Sequence, residues 1–424
     1  MTRTGVLFIL ALLVSPFFTN VSYADVTVIT VDGVVNPVMA EFIAKKIDEA
    51  ASENADALVI ELDTPGGLDT SMRSIVKKII ASEVPVVVYV SPSGARAASA
   101  GVFITLSAHI AAMAPGTNIG AAHPVAVGGG MDETTAEKAV NDAAAYIKSL
   151  AEKRKRNAEW AESAVRESVS ITEQEAIKLN VIDVVAPDIQ TLLETIDQRE
   201  VEMAVGKRVL QTKGAALVRK EITMRHKILD LISNPNVAYL LMLIGFYGIF
   251  FELTNPGAIF PGVLGALCLI LALYSFQTLP VNYAGLLLII LAIVLFILEV
   301  KVMSYGMLTV GGLVSMTIGS IMLFDSPLPF FRLSLKVILP AVILTTLFFS
   351  LTIYLAVKAY RRQPVTGSEG LIGLEGRAKT DILKEGQVFI HGEIWQAWSD
   401  EPVKAGETVV VEKVENLHLK VRRR

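Results

Sequence analysis

Two short stretches about thirty residues apart, Asp63-Thr64-Pro65-Gly66-Gly67 and Gly94-Ala95-Arg96-Ala97-Ala98-Ser99-Ala100-Gly101, hold the residue types that acyl transfer needs. Each follows an apolar run. A serine among small residues at the start of a helix puts its hydroxyl at that helix's positive end. Tandem glycines at a strand end let backbone N–H groups approach a ligand closely. Together they imply a nucleophile beside an oxyanion hole. Singly, Pro65-Gly66-Gly67 reads as a tight strand–helix turn and the alanines as close helix packing. Their pairing at the ends of neighbouring strands carries the inference.

A serine needs a base. His109 falls on an expected buried strand and reads as core. That leaves His123, in Gly120-Ala121-Ala122-His123-Pro124, and Lys138, beyond a glycine-rich loop at 121–134. An amine in an apolar pocket loses its proton near neutral pH, because desolvation disfavours the charged form. Residue type and spacing do not choose between His123 and Lys138.

The elements that must position these groups alternate. Strands are expected at 26–31, 57–62, 84–90, 109–113 and 181–185, with helices at 37–54, 71–82, 98–106, 136–157 and 171–180. Repeated strand–helix–strand units predict an α/β domain, a parallel sheet covered by helices on both faces. The charged stretch 207–233 shows an amphipathic helical pattern and reads as a surface-lying linker to a membrane.

Membrane character follows from composition. Of 424 residues, 52% are hydrophobic and mean hydropathy is +0.52, with the apolar residues concentrated in the second half. Arg3, an apolar core at 6–18 and Ser22-Tyr23-Ala24 read as a secretory signal cleaved after Ala24. Five apolar runs at 237–253, 259–279, 283–300, 307–324 and 335–360 are each about 17 residues or longer, the length needed to cross hydrocarbon. The first ends at Asn255-Pro256-Gly257, which leaves a re-entrant segment open. Glu252 and Glu299 lie at helix ends and read as solvated at the interface. Without paired buried charges in these helices, a transporter is disfavoured. A signal peptide and five crossings place the N-terminal domain outside the cell membrane and the C-terminus in the cytoplasm, in line with Lys358, Arg361 and Arg362.

After a linker at 361–370, residues 371–424 alternate apolar and polar positions with glycines at turns, the pattern of a small all-β barrel. Strands are expected at 373–382, 387–398, 408–415 and 417–422, and Trp395 and Trp398 read as core. The divisions are thus 1–24, 25–204, 205–236, 237–360, 361–370 and 371–424. A net charge of −4 gives no reason to expect nucleic acid. Cys268 is the sole cysteine, so no internal disulfide forms, and neither a metal site nor a cofactor is expected. The final Arg422-Arg423-Arg424 reads as a solvated end, with anionic lipid contact as the lesser reading.

The stretches around Gly66-Gly67 and Ser99, together with Ala114-Pro115-Gly116-Thr117-Asn118-Ile119-Gly120-Ala121, are similar to the NfeD family of membrane-bound serine proteases, relatives of Clp protease and signal peptide peptidase A. Gly386-Gln387-Val388-Phe389-Ile390-His391-Gly392-Glu393-Ile394-Trp395 and Gly406-Glu407-Thr408-Val409-Val410-Val411 resemble that family's barrel. The resemblance implies a crotonase-like protease domain, a transmembrane helix bundle and a C-terminal OB-fold. It implies a Ser–Lys dyad, with Ser99 as nucleophile, Lys138 as base and the backbone N–H groups of Gly67 and Ala100 as oxyanion donors. His123-Pro124 resembles the segment that supplies a histidine base in Clp protease, so His123 stays the rival base. Also implied are stomatin- or flotillin-like partners, cleavage of apolar protein segments near the membrane, and a homo-oligomer. The alternative is a membrane scaffold that organises stomatin-like proteins with little proteolysis.

Overall fold

The structure, a computed structural model, describes residues 25–126, 132–302, 304, 306–360 and 368–424. The signal sequence read at 1–24, with its cleavage after Ala24, lies outside them, as do part of the glycine-rich loop and most of the 361–370 linker.

Apolar runs, rich in β-branched residues in β1 and β3, build the N-terminal sheet. The chain runs β1 (Asp25–Asp32), α1 (Pro37–Ser52), β2 (Ala57–Asp63), α2 (Asp69–Ile80), β3 (Val86–Val90), β4 (Arg96–Ala98), α3 (Ala100–Ser107), β5 (Ile110–Met113) and β6 (Asn118–Gly120). It continues with α4 (Glu133–Lys153), α5 (Ala158–Arg166), β7 (Ser170–Thr172), α6 (Glu173–Lys178), β8 (Val184–Val185), α7 (Ile189–Ile196), β9 (Glu200–Glu202), β10 (Lys207–Val209), β11 (Ala216–Arg219) and α8 (Met224–Ile232). Six strands pair in the order β11-β1-β2-β3-β5-β8, every pair parallel. Because strand side chains alternate faces, β3 sends Val86, Val88 and Val90 into one core and Val87 and Tyr89 into the other. Helices α1 to α5 cover the first face and α7 the second. A small sheet, β4-β6-β7, stands beside the main one.

The 207–233 stretch departs from the expected helix. Only Met224–Ile232 is helical; Lys207–Val209 forms a hairpin with β9, and Ala216–Arg219 pairs with β1 as the sheet's edge strand. The expected linker helix at 205–236 is therefore mostly part of the α/β domain. Helix α8 is docked rather than free: Asn36 Nδ2 donates to Asp230 Oδ1 at 2.7 Å, and the buried His226 ring lies 5.8 Å from that of Phe42.

Arg156 ties the two ends of this core. Its buried guanidinium donates to the carbonyls of Thr105 and Leu106 and pairs with Asp183 at 2.5 Å. Arg156→Ala leaves these acceptors without that partner. It should destabilise the chain by about 3–5 kcal/mol, read as a lowered unfolding midpoint in denaturant.

Five apolar helices follow: α9 (Pro235–Thr254), α10 (Phe260–Phe276), α11 (Tyr283–Lys301), α12 (Met307–Met322) and α13 (Leu335–Tyr360). By length and apolarity the segments Pro235–Thr254 and Pro329–Thr352 suffice to cross a membrane, and the other three are shorter apolar helices. Helix α9 runs unbroken for 20 residues. Small residues let helices touch, as expected of membrane packing. A Cβ on Gly248 would lie 2.8 Å from Gly265 Cα, and one on Gly285 would lie 2.9 Å from Gly319 O. At one end of this set, Tyr239 bonds Ser320 at 2.8 Å, Asn282 N donates to Leu323 O at 2.9 Å, and Ser334 N donates to Asn236 Oδ1 at 2.9 Å.

Glu299 corrects the solvated-end reading. It is 5% exposed, and its carboxylate accepts from Ser304 Oγ and from the N–H groups of Gly306 and Thr309. It caps the turn into α12, where an anion suits the helix's positive end.

The C-terminal strands β12 (Glu375–Ala378), β13 (Gly386–Ile390), β14 (Glu393–Trp398), β15 (Thr408–Glu415) and β16 (His418–Arg423) close into a barrel in the order β12-β13-β14-β16-β15. The single strand expected at 387–398 is a hairpin turning at His391-Gly392. Trp395 packs against the barrel core, and the Trp398 ring lies 5.0 Å from Lys420 Nζ.

Candidate active site

The Gly66-Gly67 turn is shaped by contact. Val35 N donates to Gly66 O and Leu68 N donates to Val35 O, both at 2.9 Å, so Val35 forms a parallel bridge with Gly67. This pairing turns the N–H of Gly67 away from Val35. A Cβ on Gly67 would sit 2.1 Å from Val35 O, and one on Gly66 would sit 2.7 Å from Ser99 Cβ. Only glycine fits either place.

Ser99 stands at the N-terminus of α3 with φ 52° and ψ −112°. A non-glycine residue there stores strain of about 1–3 kcal/mol. Neighbouring strands impose the conformation. Ala98 N donates to Thr64 O and Ser99 N to Gly120 O, both at 3.1 Å, while Ser99 O accepts from Val102 N at 3.0 Å. Among the described residues, the Ser99 hydroxyl and the N–H groups of Gly67 and Ala100 make no hydrogen bond. Ser99, Gly67 and Ala100 line one cavity of about 100 Å³, walled mostly by apolar side chains, Met72, Phe103, Ala122, Pro124, Val125, Ala143 and Leu328, with Asp69 the one charged residue among them. A hydroxyl, two free backbone donors and an apolar recess are thus assembled in one place.

The two candidate bases are placed differently. His123 is half-buried, and its Nδ1 lies 2.9 Å from Val165 O, although its neighbours Ala122 and Pro124 line the cavity. Lys138 is exposed on the first turns of α4 and is not among the lining residues. It precedes Ala143, which is, by five residues or about 7.5 Å of helix axis. One turn on, Asp142 pairs with Arg73 of α2, whose guanidinium also lies 4.5 Å from the Tyr146 ring. These contacts hold the middle of α4, one turn beyond Lys138, against α2, the helix that follows Gly67.

His109 is a core residue, as expected. It is 8% exposed and its Nδ1 accepts from Val86 N at 3.1 Å. Burial, with Arg154 and Arg156 nearby, pushes its pKa down to about 3 from 6.5. The unfolded chain therefore binds this proton more readily than the folded one. The stability His109 confers is complete above pH 6.5 and is lost as pH falls towards 3. Unfolding midpoints of the full chain measured from pH 7 to pH 4.5 should fall more steeply than those of His109→Gln.

Leu328, Met72 and Phe103 carried no sequence signal as site residues. The helical periodicity of Met72 marked it only as core-facing. Leu328 comes from between two distant helices, and its one local cue is the pair of flanking prolines.

Comparison with known proteins covers the chain almost end to end. Residues 25–194 match the NfeD1b N-terminal domain, 236–355 the NfeD integral membrane domain, and 368–423 the NfeD-like C-terminal, partner-binding domain. The membrane-bound protease PH1510 of Pyrococcus horikoshii is 37% identical over 384 residues, 87% of each chain. The chain belongs to the NfeD family. Among solved structures, this NfeD chain is similar to the 1510-N membrane-bound stomatin-specific protease, a lysine-to-alanine mutant in complex with a substrate peptide. The two are 35% identical, covering 49% of this chain and 97% of that one, with a TM-score of 0.45. ClpP1 from Listeria monocytogenes is 18% identical, covering 38% of this chain and 91% of that one, with a TM-score of 0.33.

Proposed function

We propose that this NfeD chain is a membrane-anchored serine endopeptidase with Ser99 as its nucleophile. The observation that carries the reading is the strained Ser99, which lines one recess with Gly67 and Ala100, whose backbone N–H groups are unpaired among the described residues. In the reaction, Ser99 Oγ attacks the scissile carbonyl carbon and its proton passes to the base. The N–H groups of Gly67 and Ala100 hold the resulting oxyanion, where preorganised donors are most effective. The C–N bond breaks, the base returns the proton to the departing amine, and water hydrolyses the serine ester.

Lys138 is the base in this reading. The support is its family position and the clamping of α4 against α2. A peptide lying over the cleft excludes water, which is what lets an amine accept a proton. His123, with Nδ1 engaged by Val165, is the alternative. The lining favours apolar substrate side chains. The C-terminal barrel, with the strand order expected of an OB-fold, recruits a stomatin- or flotillin-like membrane protein; its match to a partner-binding domain supports this. The α/β domain lies outside a five-crossing membrane domain and the barrel lies inside, and the α/β domain self-associates.

A fluorophosphonate probe should label Ser99 of the full chain in detergent, mapped by peptide mass. Labelling elsewhere, or none with partner capture retained, would assign a scaffold instead.

A further inference from the structure

The cavity beside Ser99 is bordered by a residue from outside the α/β domain. Leu328, in the connection between α12 and α13, lines it together with Gly67, Ser99, Ala100 and Met72. We propose that Leu328 is a specificity-determining residue, forming one wall of the pocket that receives an apolar substrate side chain next to the cleaved bond. The inference rests on the peptidase reading above and adds that the membrane domain completes the substrate pocket.

Three observations support a fixed wall. Leu328 sits between Pro327 and Pro329 in extended backbone, φ −82° and ψ 121°, so both flanking peptides are restricted. Its N–H donates to Ser326 Oγ at 3.2 Å and its carbonyl accepts from Phe331 N at 3.1 Å. The connection is anchored at its far end, where Arg332 Nε donates to Ser326 O, Phe331 is 4% exposed, and Ser334 N bonds Asn236 of α9. These contacts fix the backbone from which the Leu328 side chain borders the cavity.

Size agrees. About 100 Å³ is well below the roughly 300–1,000 Å³ of pockets that enclose whole small ligands. The recess suits one side chain of a peptide whose remainder lies outside. Leu328 borders that space rather than filling it, so it screens side chains by size. Phe330 and Phe331 of the same connection line a second cavity with Asp32, Gly33 and Asn36. That cavity places the connection beside the loop after β1, which also carries Val35, the partner of Gly67.

The test uses the full chain in detergent and two peptide anilides, with leucine or phenylalanine at the cleaved bond. Labelling of wild type at Ser99 is checked first. Leu328→Ala enlarges the pocket and should raise the kcat/KM ratio of phenylalanine over leucine by about tenfold or more, the scale of one or two methylenes in a pocket. Leu328→Phe should lower the ratio. A ratio that moves less than about twofold in both variants would remove Leu328 from the pocket. Equal acceleration of both peptides in Leu328→Ala would make it a plug instead of a wall. A wild-type chain unlabelled at Ser99 would take away the peptidase reading itself, a separate failure.

Discussion

Ser99→Ala should abolish peptide hydrolysis, lowering kcat by about 10⁴-fold or more, since a nucleophile and its base act as one unit. The folded state should not suffer: alanine keeps the Cβ that Gly66 accommodates, and the hydroxyl makes no hydrogen bond among the described residues. The base is read in the same assay. Lys138→Ala should fall nearly as far as Ser99→Ala, with no further loss in the double variant, because neither residue works without the other. His123→Ala should stay within about tenfold of wild type. Wild-type rates in Lys138→Ala with collapse in His123→Ala would transfer the role to His123. Full activity in Ser99→Ala would end the proposed mechanism.

Gly67→Ala is the second large effect, and its cause is steric. The added Cβ would meet Val35 O at 2.1 Å, a distance no real contact shows. The turn must move, and with it the Gly67 N–H, which the bridge to Val35 leaves unused. Losing one oxyanion donor costs about 10²–10³-fold in kcat, so a drop of at least about 100-fold is expected, with probe labelling slowed in parallel. Because β1 and β2 pair along Val26–Asp32 independently of this bridge, the unfolding midpoint should fall far less than activity. A variant that stayed folded and kept its rate would refute the assignment of Gly67 as a donor.

Legibility in the sequence followed the range of the interaction. Ser99 and Gly67 were readable because the small residues their contacts demand are contiguous in the chain. The parallel sheet is readable because its central strands are short apolar runs, rich in β-branched residues in β1 and β3. Ala216–Arg219 was not: a half-polar edge strand owes its state to pairing with β1, nearly two hundred residues away, and propensity is a weak guide there. The 387–398 hairpin hid because its turn, His391-Gly392, is only two residues between strands of one pattern. Glu299 was misread because the groups that bind it belong to the following turn. Lys138 reads from the sequence as a surface helix lysine unless the glycine-rich loop covers it, and it is exposed.

The docking of α8 has a consequence for the reach of the enzyme. Two residues separate Ile232 from α9, and α8 itself is held to α1. The α/β domain therefore rides on a short leash and cannot roam to distant targets. Its prey must be delivered, and a fragment cut free before α9, which lacks Leu328, should cleave dissolved peptides with relaxed selectivity at the cleaved bond and lose its advantage against bilayer-bound ones.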